Sequence, residues 1–356
     1  MKKNKKTELP QESSDSVNSD TNKKKSNLVP NLCIIAIAGA LLFLLYYHFI
    51  QPYFSDKTID KYREMYYSTT EAETDVQTKP EDVQQTDENI EDDTETATEA
   101  VTKEVKVSKN FSALVEYNPD IRGWVTISGT NIDYPVVQAT EEKTDYYLTH
   151  NVDGEVDKNG TVFIDYRTPI TENSKAIFVN GHNMKSTGLM FHELVRYKNL
   201  DFYCENPVFT FDTLYGDSEW KVISLIKTNN DERQGERFNF YRSSFDSDED
   251  FMEFVYQLKV RSIFECPVDI NEDDTLLMLS TCTYEMNDMR FVVVARKVRD
   301  GESADVDTAK AFERDAVLYP DGWYVKYPKA VRPVVTSFKD AYAAGEIDWY
   351  SGSLYR

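Results

Sequence analysis

Short apolar, β-branched runs separated by polar gaps recur between residues 124 and 294, and they limit this part of the chain to a fold built mainly from strands. The predicted strands are residues 124–127, 134–137, 161–165, 177–180, 208–212, 220–227, 276–282 and 290–294. Only residues 188–198 and 246–258 show a helical period in this region. Many short strands with few helices favour a closed β-barrel.

Two of these strands carry a candidate catalytic pair. The run at 276–282 ends in Cys282, and the run at 290–294 begins with Arg290. If the strands are neighbours, the thiol and the guanidinium lie at the same edge of the sheet. The thiolate is the nucleophilic form of cysteine, a nearby cation favours it, and arginine offers several donors to an oxyanion. The alternative is a structural cysteine beside a surface arginine.

A candidate acid–base residue follows another strand of buried type. His182, one of four histidines, lies in the turn directly after residues 177–180. A single histidine is often structural. One that follows a strand end, in a chain with a matching cysteine and arginine, is a candidate for proton transfer.

The motifs around these residues resemble those of the sortases, the cysteine transpeptidases of Gram-positive cell surfaces. The resemblance rests on Leu-Ser-Thr-Cys at 279–282 with Arg290 downstream, and on Asn-Gly-His-Asn-Met at 180–184. Gly-Trp-Val-Thr-Ile at 123–127, Ile-Asp-Tyr-Pro-Val-Val at 132–137, Asp-Tyr-Tyr-Leu at 145–148 and Gly-Thr-Val-Phe-Ile-Asp-Tyr-Arg at 160–167 resemble class B in particular. The motifs are colinear over residues 108–299.

The resemblance implies an eight-stranded sortase-type barrel with a few peripheral helices, and a two-step acyl transfer. Cys282 attacks a carbonyl in the C-terminal sorting motif of a secreted protein and forms a thioester, which an amine of the cell wall then resolves. His182 protonates the leaving amine and later deprotonates the incoming one. Arg290 holds the carbonyl oxygen and the oxyanion. The resemblance implies neither a cofactor nor a metal.

Further residues match substrate contacts of the family. Ser280 and Thr281 correspond to the groove floor beside the nucleophile, and Leu148 to a groove-wall leucine. Thr144 stands where class B enzymes often have an asparagine. Phe240 and Tyr241 fall at an aromatic–aliphatic pair of the groove. Position 278 is methionine where the signature usually has threonine, so an Asn-Pro-x-Thr-type motif is only an expectation.

The amino-terminal region predicts a membrane anchor. Residues 1–27 are a basic, polar tail, and residues 28–50 are nearly all apolar and carry no Asp, Glu, Lys or Arg. The flanking lysines predict a cytoplasmic amino terminus, with the remaining chain outside the cell. A cleaved signal peptide is the alternative, but the run is long and no small-residue cleavage pattern follows it.

Residues 51–107 are predicted to be an extracellular acidic stalk. Residues 71–106 hold thirteen Asp or Glu and three Lys, for a net charge of −10. Such a segment lacks the aromatic residues needed for a core, and its like charges extend it. A solvated spacer is favoured over calcium binding, because no loop with ligand spacing and a turn glycine is present.

The whole-chain charge of −22 argues against a nucleic-acid partner.

Residues 300–356, the C-terminal extension, follow the predicted catalytic barrel of residues 108–299. A helix is predicted at 305–318. The many aromatic residues beyond it are expected to pack on the barrel or to bind a ligand, packing being favoured. Cys204 and Cys266 are expected to remain unpaired, although a disulfide between them is the alternative outside the cell.

Three other functions are compatible with the sequence. One is a pilus-assembling sortase whose acceptor is a lysine of another subunit. Another is a non-catalytic surface adhesion module, which the joint presence of Cys282, His182 and Arg290 argues against. A secreted cysteine peptidase is the third, distinguished by product release without incorporation of an added amine.

Overall fold

The computed structural model of the chain describes residues 28–74, 109–168, 170–171 and 173–355. These residues fall into two units, and the division in the sequence lies between Tyr47 and His48. The first contains helix α1, Leu28–Leu45, which the π-helical turn Tyr46–Ile50 follows. Apolar side chains are exposed on every side of α1, as expected for a helix surrounded by lipid. The helical run that begins at Asn31 has the length and composition of a membrane span.

The second unit is built around a closed barrel of eight strands, as predicted. The described residues form ten strands, of which all but β7 and β10 belong to the barrel: β1 (Ile121–Thr126), β2 (Asp133–Gln138), β3 (Phe163–Ile164), β4 (Ala176–Asn180), β5 (Val208–Thr213), β6 (Glu219–Asn229), β7 (Phe264–Glu265), β8 (Leu276–Thr283), β9 (Met289–Lys297) and β10 (Phe312–Glu313). Their order around the barrel is β1-β2-β3-β4-β8-β9-β6-β5, and β5 pairs with β1 to close it. The β2–β3 and β4–β8 pairs are parallel, and the other pairs are antiparallel. Strands β7 and β10 form a separate ladder.

Strands β4, β8 and β9 are buried on both faces, which explains their continuous apolar runs. Leu277 and Leu279 belong to one core cluster together with residues of β1 and β2. Leu276 and Met278, which alternate with them, belong to a second cluster that includes Phe251 and the C-terminal extension. The second cluster therefore covers the outer face of the strands that carry Cys282 and Arg290.

The described residues of the second unit form six further α-helices. They are α2 (Gln51–Thr74), α3 (Lys109–Tyr117), α4 (Leu200–Glu205), α5 (Asp248–Lys259), α6 (Asp321–Lys326) and α7 (Phe338–Ala343). Helix α5 lies where the helical period predicts it, and the side chain of Ser247 caps its first turn. The helix predicted at 188–198 is shorter, a 3₁₀ helix at Glu193–Lys198, because Gly188 and Met190 have left-handed backbone conformations.

The predicted stalk begins too early, because α2 packs on the barrel. Tyr62 is fully buried, Tyr66 is 5% exposed, and both join a core cluster with Trp124. The Tyr66 and Trp124 rings stack at 4.5 Å between centroids. Ser55 and Ile59 continue this helical stripe. The rest of the predicted stalk and the basic tail lie outside the described residues, as does residue 108, where the predicted barrel begins.

The C-terminal extension packs on the barrel, as expected for its aromatic residues. Phe338 is 1% exposed in the cluster that α5 also joins. The helix predicted at 305–318 is wrong: this segment holds the 3₁₀ turn Thr308–Lys310 and strand β10. Pairing with β7 outweighs local helical preference there. Cys204 and Cys266 are both free thiols.

Candidate active site

The register of β8 and β9 brings Cys282 and Arg290 together. The two residues lie directly opposite each other in the antiparallel pair. Both side chains are partly exposed, and Arg290 Nη1 donates a hydrogen bond to Cys282 Sγ at 3.2 Å. A guanidinium at this distance stabilises negative charge on the sulfur. The same group offers further N–H donors for an oxygen bound beside the sulfur.

His182 follows β4, which is the parallel neighbour of β8. Gly181 is required before it, because a Cβ at that position would lie 2.7 Å from the Phe191 ring. His182 Nε2 lies 2.9 Å from the backbone oxygen of Leu148. A carbonyl oxygen can only accept, so Nε2 carries the hydrogen and Nδ1 is the basic nitrogen of the neutral ring. The contact with Leu148 thus sets both the tautomer and the ring orientation.

The loop that follows His182 also supports the nucleophile. Asn183 Nδ2 donates to the backbone oxygen of Cys282 at 2.9 Å. The Asn183 side-chain oxygen lies 2.7 Å from His192 Nδ1, and its backbone oxygen accepts from the Tyr284 hydroxyl at 2.9 Å. Sequence reasoning assigned no role to these three residues. The only signal was the polar cluster that surrounds His182 after a buried strand.

A cavity of about 560 Å³ opens over the three candidate catalytic residues. His182, Cys282 and Arg290 all line it. Four of the predicted substrate contacts line it as well: Thr144, Leu148, Phe240 and Tyr241. Asp165, Arg167, Asn230 and Arg237 also line it and were not predicted. The strand register, the turn after β4 and the loop before α5 therefore converge on one cavity.

Ser280 and Thr281 are not part of the cavity lining. They are 1% and 0% exposed, and Thr281 lies on the face of β8 opposite to Cys282. The Thr281 hydroxyl donates to the backbone oxygen of Gly181 at 2.8 Å. Ser280 is paired with Asn180, whose side-chain oxygen accepts from the Tyr241 hydroxyl at 3.0 Å. Both residues thus support the cavity from beneath.

An ion pair, Asp165 with Arg167, lies where the cavity adjoins a second hollow. Arg167 donates to both carboxylate oxygens of Asp165 at 2.7 Å. A second hollow of about 550 Å³ shares this pair and Tyr241 with the cavity. Burial raises the pKa of Tyr241, although the Arg290 guanidinium partly opposes the shift. Among the described residues, no group of three or more His, Cys, Asp or Glu side chains has an arrangement that could hold a metal.

The same region matches known proteins. A family model described as the sortase domain matches residues 125–298. Sortase B of Staphylococcus aureus is 31% identical over 196 residues, which cover 54% of this chain and 76% of that protein. Sortase B of Listeria monocytogenes is 33% identical over 172 residues, covering 48% and 66%. A crystal structure of sortase B from Bacillus anthracis superposes with a TM-score of 0.54 and 27% identity, covering 69% of this chain and 97% of that chain.

These matches show that the chain belongs to the sortase family, the cysteine transpeptidases. The relatives and the solved structure are all sortases B, and the chain is accordingly a class B sortase. The resemblance, the barrel and the reaction class predicted from the sequence are confirmed. The family match ends at residue 298, so the C-terminal extension lies beyond it.

Proposed function

We propose that this transpeptidase is anchored in the cell membrane by residues 28–50, with its amino terminus in the cytoplasm. Its catalytic unit cleaves a C-terminal sorting motif of secreted proteins and transfers the acyl group to a peptidoglycan amine. The observation that carries the proposal is the 3.2 Å contact between Arg290 and Cys282 in a cavity that His182 also lines. A nucleophile, an oxyanion donor and an acid–base group are the parts that acyl transfer requires.

In the first step, Cys282 Sγ attacks the scissile carbonyl carbon as a thiolate. The carbonyl oxygen becomes an oxyanion beside the Arg290 guanidinium, which is already held at the rim by its contact with the sulfur. The C–N bond then breaks, and the leaving amine takes a proton from the protonated imidazole of His182. A thioester remains on Cys282.

In the second step, an incoming amine attacks the thioester carbonyl. Neutral His182 accepts the amine proton at Nδ1, since Nε2–H is engaged by the Leu148 backbone oxygen. The C–S bond breaks and restores the Cys282 thiolate, which Arg290 again stabilises. The new amide joins the sorted protein to the wall, and no proton is gained or lost over the two steps.

The cavity fits an extended peptide better than a compact ligand. It adjoins the second hollow, with which it shares the Asp165–Arg167 pair, so the two spaces together are long enough for several residues of an extended chain. Leu148 and Phe240 supply apolar contacts, and Thr144, Asn180 and Arg237 supply polar groups. An Asn-Pro-x-Thr-type motif, the expectation for class B, has this mixed polar and apolar character.

The test uses the full chain in detergent micelles and a panel of short sorting-motif peptides, with and without an amine acceptor, followed by mass spectrometry. The proposal expects a thioester adduct on Cys282 that passes to the amine. Cys282→Ala should give no adduct. Cys204→Ala is the matched control, because Cys204 is also a partly exposed free cysteine but does not line the cavity. Product formed with water alone as acceptor, at the same rate whether or not amine is present, would overturn the proposed transfer.

The acceptor is resolved by comparing a peptidoglycan stem peptide with a lysine-bearing pilin fragment. The wall-anchoring proposal expects faster transfer to the stem peptide. Exclusive transfer to the lysine fragment, seen as a ladder of linked protein, would instead identify a pilus-assembling enzyme. Labelling of single engineered cysteines in residues 1–27 in intact cells tests the orientation. Their modification by an impermeant reagent would contradict a cytoplasmic amino terminus.

A further inference from the structure

The loop of residues 284–288, which we call the rim loop, joins the strand of Cys282 to the strand of Arg290. Cys282 and Arg290 face each other one register position before the ladder ends, so the rim loop begins two residues after Cys282 and ends two residues before Arg290. Asp288 in this loop has a left-handed backbone, with φ of 50°, and its oxygen accepts from Asn230 N at 2.9 Å. The loop therefore needs support from outside the two strands.

Glu285 fastens the rim loop to the barrel. Its carboxylate accepts from Lys198 Nζ at 2.7 Å and lies 3.5 Å from Lys227 Nζ. The Thr283 hydroxyl also donates to it. Burial alone would raise the pKa of Glu285, but the bonds from Lys198 and Thr283 outweigh it and lower the pKa to about 2. Glu285 is thus a carboxylate at any working pH.

Helix α6 of the C-terminal extension holds the opposite side of the rim loop. Lys326 Nζ donates to the backbone oxygen of Glu285. Gly322 lies so close to Met286 that a Cβ on it would come within 2.9 Å of the Met286 terminal methyl. Trp323 is 8% exposed, and Lys227 Nζ lies 5.0 Å from the centroid of its ring. Lys227, one of the two lysines beside Glu285, is therefore covered by an aromatic residue of the extension.

The same helix also touches the loop that leads to the substrate cavity. A Cβ on Gly235 would lie 2.8 Å from Asp321 N, so the backbone at the start of α6 lies against this loop. Gln234 Nε2 in turn donates to the backbone oxygen of Asn287 in the rim loop, at 2.5 Å. Helix α6 thus lies against two loops that contact each other, the rim loop and the loop whose Gly235 lines the second hollow.

Helix α6 is itself firmly attached. The Tyr319 and Trp323 rings stack at 4.4 Å, and the Tyr324 hydroxyl donates to the backbone oxygen of Val317 at 2.7 Å. Before it, Leu318 N donates to the backbone oxygen of Val260 at 3.0 Å. After it, Phe338 is buried in the cluster that includes α5. A rigid element attached at both ends can hold a loop in one position.

We propose that Trp323 and Lys326 are positioning residues for transpeptidation, which hold the rim loop and thereby the spacing of Cys282 and Arg290. The inference rests on the proposed roles of that pair. A displacement of about 1 Å at reacting groups can cost a hundredfold in rate, so loss of the support reduces turnover more than it reduces substrate binding. The extension is then a functional addition to the catalytic unit, beyond the matched family region.

The experiment compares Trp323→Ala with Trp349→Ala in the full chain in detergent. Trp349 is the control because it is also a tryptophan of the extension with a lysine beside its ring, but it packs near Phe338 and Lys259. Three readouts are taken: kcat and KM with a sorting-motif peptide, the thermal midpoint, and the rate of Cys282 alkylation by iodoacetamide. Peptide mapping separates Cys282 from Cys33, Cys204 and Cys266.

The expected result is a loss of kcat of about tenfold or more in Trp323→Ala, with KM changed less than about twofold and a measurable change in Cys282 alkylation. Trp323→Phe should restore most of the rate, because the ring still covers Lys227. Lys326→Met keeps the side-chain stem and removes the donor, so it should show a smaller effect of the same kind even if Trp323→Ala fails to fold. Trp349→Ala should keep both kcat and the alkylation rate.

Two results would overturn the inference. One is equal kcat in Trp323→Ala, Lys326→Met and the unaltered chain. The other is a loss of kcat in Trp323→Ala and Trp349→Ala alike that follows only their thermal midpoints, which is the signature of a purely structural extension. Cys282→Ala separates this failure from failure of the proposed function. An inactive Cys282→Ala with a normal Trp323→Ala rejects only the positioning role, whereas an active Cys282→Ala rejects the assigned nucleophile.

Discussion

Removing the Tyr66 side chain should strongly destabilise the catalytic unit. Tyr66 is 5% exposed, stacks on Trp124 and donates its hydroxyl hydrogen to Asp212. Replacing a buried aromatic with alanine costs about 3–5 kcal/mol of unfolding free energy. Loss of the hydroxyl donor leaves the partly buried Asp212 carboxylate with one partner fewer, which adds about 1–3 kcal/mol. Tyr66→Ala should therefore lose at least about 4 kcal/mol, a large share of a typical domain's stability.

The measurement is urea unfolding of the full chain in detergent, followed by tryptophan fluorescence. Tyr67→Ala is the control, because Tyr67 is the next residue of α2 but is 42% exposed, and it should lose about 1 kcal/mol or less. Tyr66→Phe keeps the ring stack and removes only the hydroxyl donor, so it should lose about 1–3 kcal/mol. If Tyr66→Ala and Tyr67→Ala have equal stabilities, α2 does not belong to the folded catalytic unit and the reasoning fails.

The burial of Tyr66 also predicts that the unfolding free energy falls at alkaline pH. Burial, followed by the hydrogen bond to Asp212, raises the pKa of Tyr66 well above its ordinary value. Because the folded pKa exceeds the unfolded one, the stabilisation is complete below about pH 10 and is lost as pH rises beyond it. Between pH 10 and 12, Tyr66→Phe should make the fall of the unfolding free energy with pH less steep, by at most about 1.4 kcal/mol per pH unit. An unchanged slope would mean that Tyr66 ionises freely in the folded chain.

Three substitutions test the active site, the first two by steady-state kinetics with a thermal melt as the control for folding, and the third by the stability itself. Arg290→Lys should lower kcat at least about a hundredfold, because a point charge does not replace the planar donor fork beside Cys282; a loss below threefold would contradict an oxyanion role. Asn183→Ala should lower kcat about three- to tenfold through loss of one hydrogen bond to the Cys282 backbone, and an effect on KM alone would contradict this. Gly181→Ala should cost about 1–3 kcal/mol of stability by collision with the Phe191 ring, and a second change, Phe191→Leu, should recover part of it; no recovery would assign the cost elsewhere.

Most of the barrel is predictable from sequence because its strands are buried on both faces. Continuous apolar runs at β4, β8 and β9 identify these strands to within a few residues, and Cys282 and Arg290 follow from where the last two runs end and begin. Helix α2 was assigned to the stalk because its buried stripe is formed by tyrosines whose hydroxyls bond carboxylates. Tyr62 bonds Asp153 in this way. Such a stripe has a weak apolar period although it is fully packed.

The supporting contacts of the site are not predictable by the same reasoning. Asn183, His192 and Tyr284 meet only because the chain turns sharply at Met190, whose left-handed backbone no local pattern indicates. The course of the C-terminal extension is equally hidden, since β10 is only two residues long and forms by pairing with β7. Contacts between segments that lie far apart in sequence are set by tertiary geometry and leave no periodic signal.

The active site lies at a part of the barrel that neither of its two covering layers of helices buries. Helices α2 and α3 cover the barrel around Trp124, and α5 with the C-terminal extension covers the outer face of β8 and β9. Cys282 is the first residue of β8 that is not fully buried, because it lies at the edge where the second layer ends. A nucleophile two residues earlier, at Ser280, would be buried away from substrate. One in the rim loop would have no arginine held opposite it by strand pairing. At the end of the β8–β9 ladder, Cys282 is accessible to substrate and Arg290 is held opposite it by strand pairing. Helix α6 lies against the rim loop at that end of the ladder.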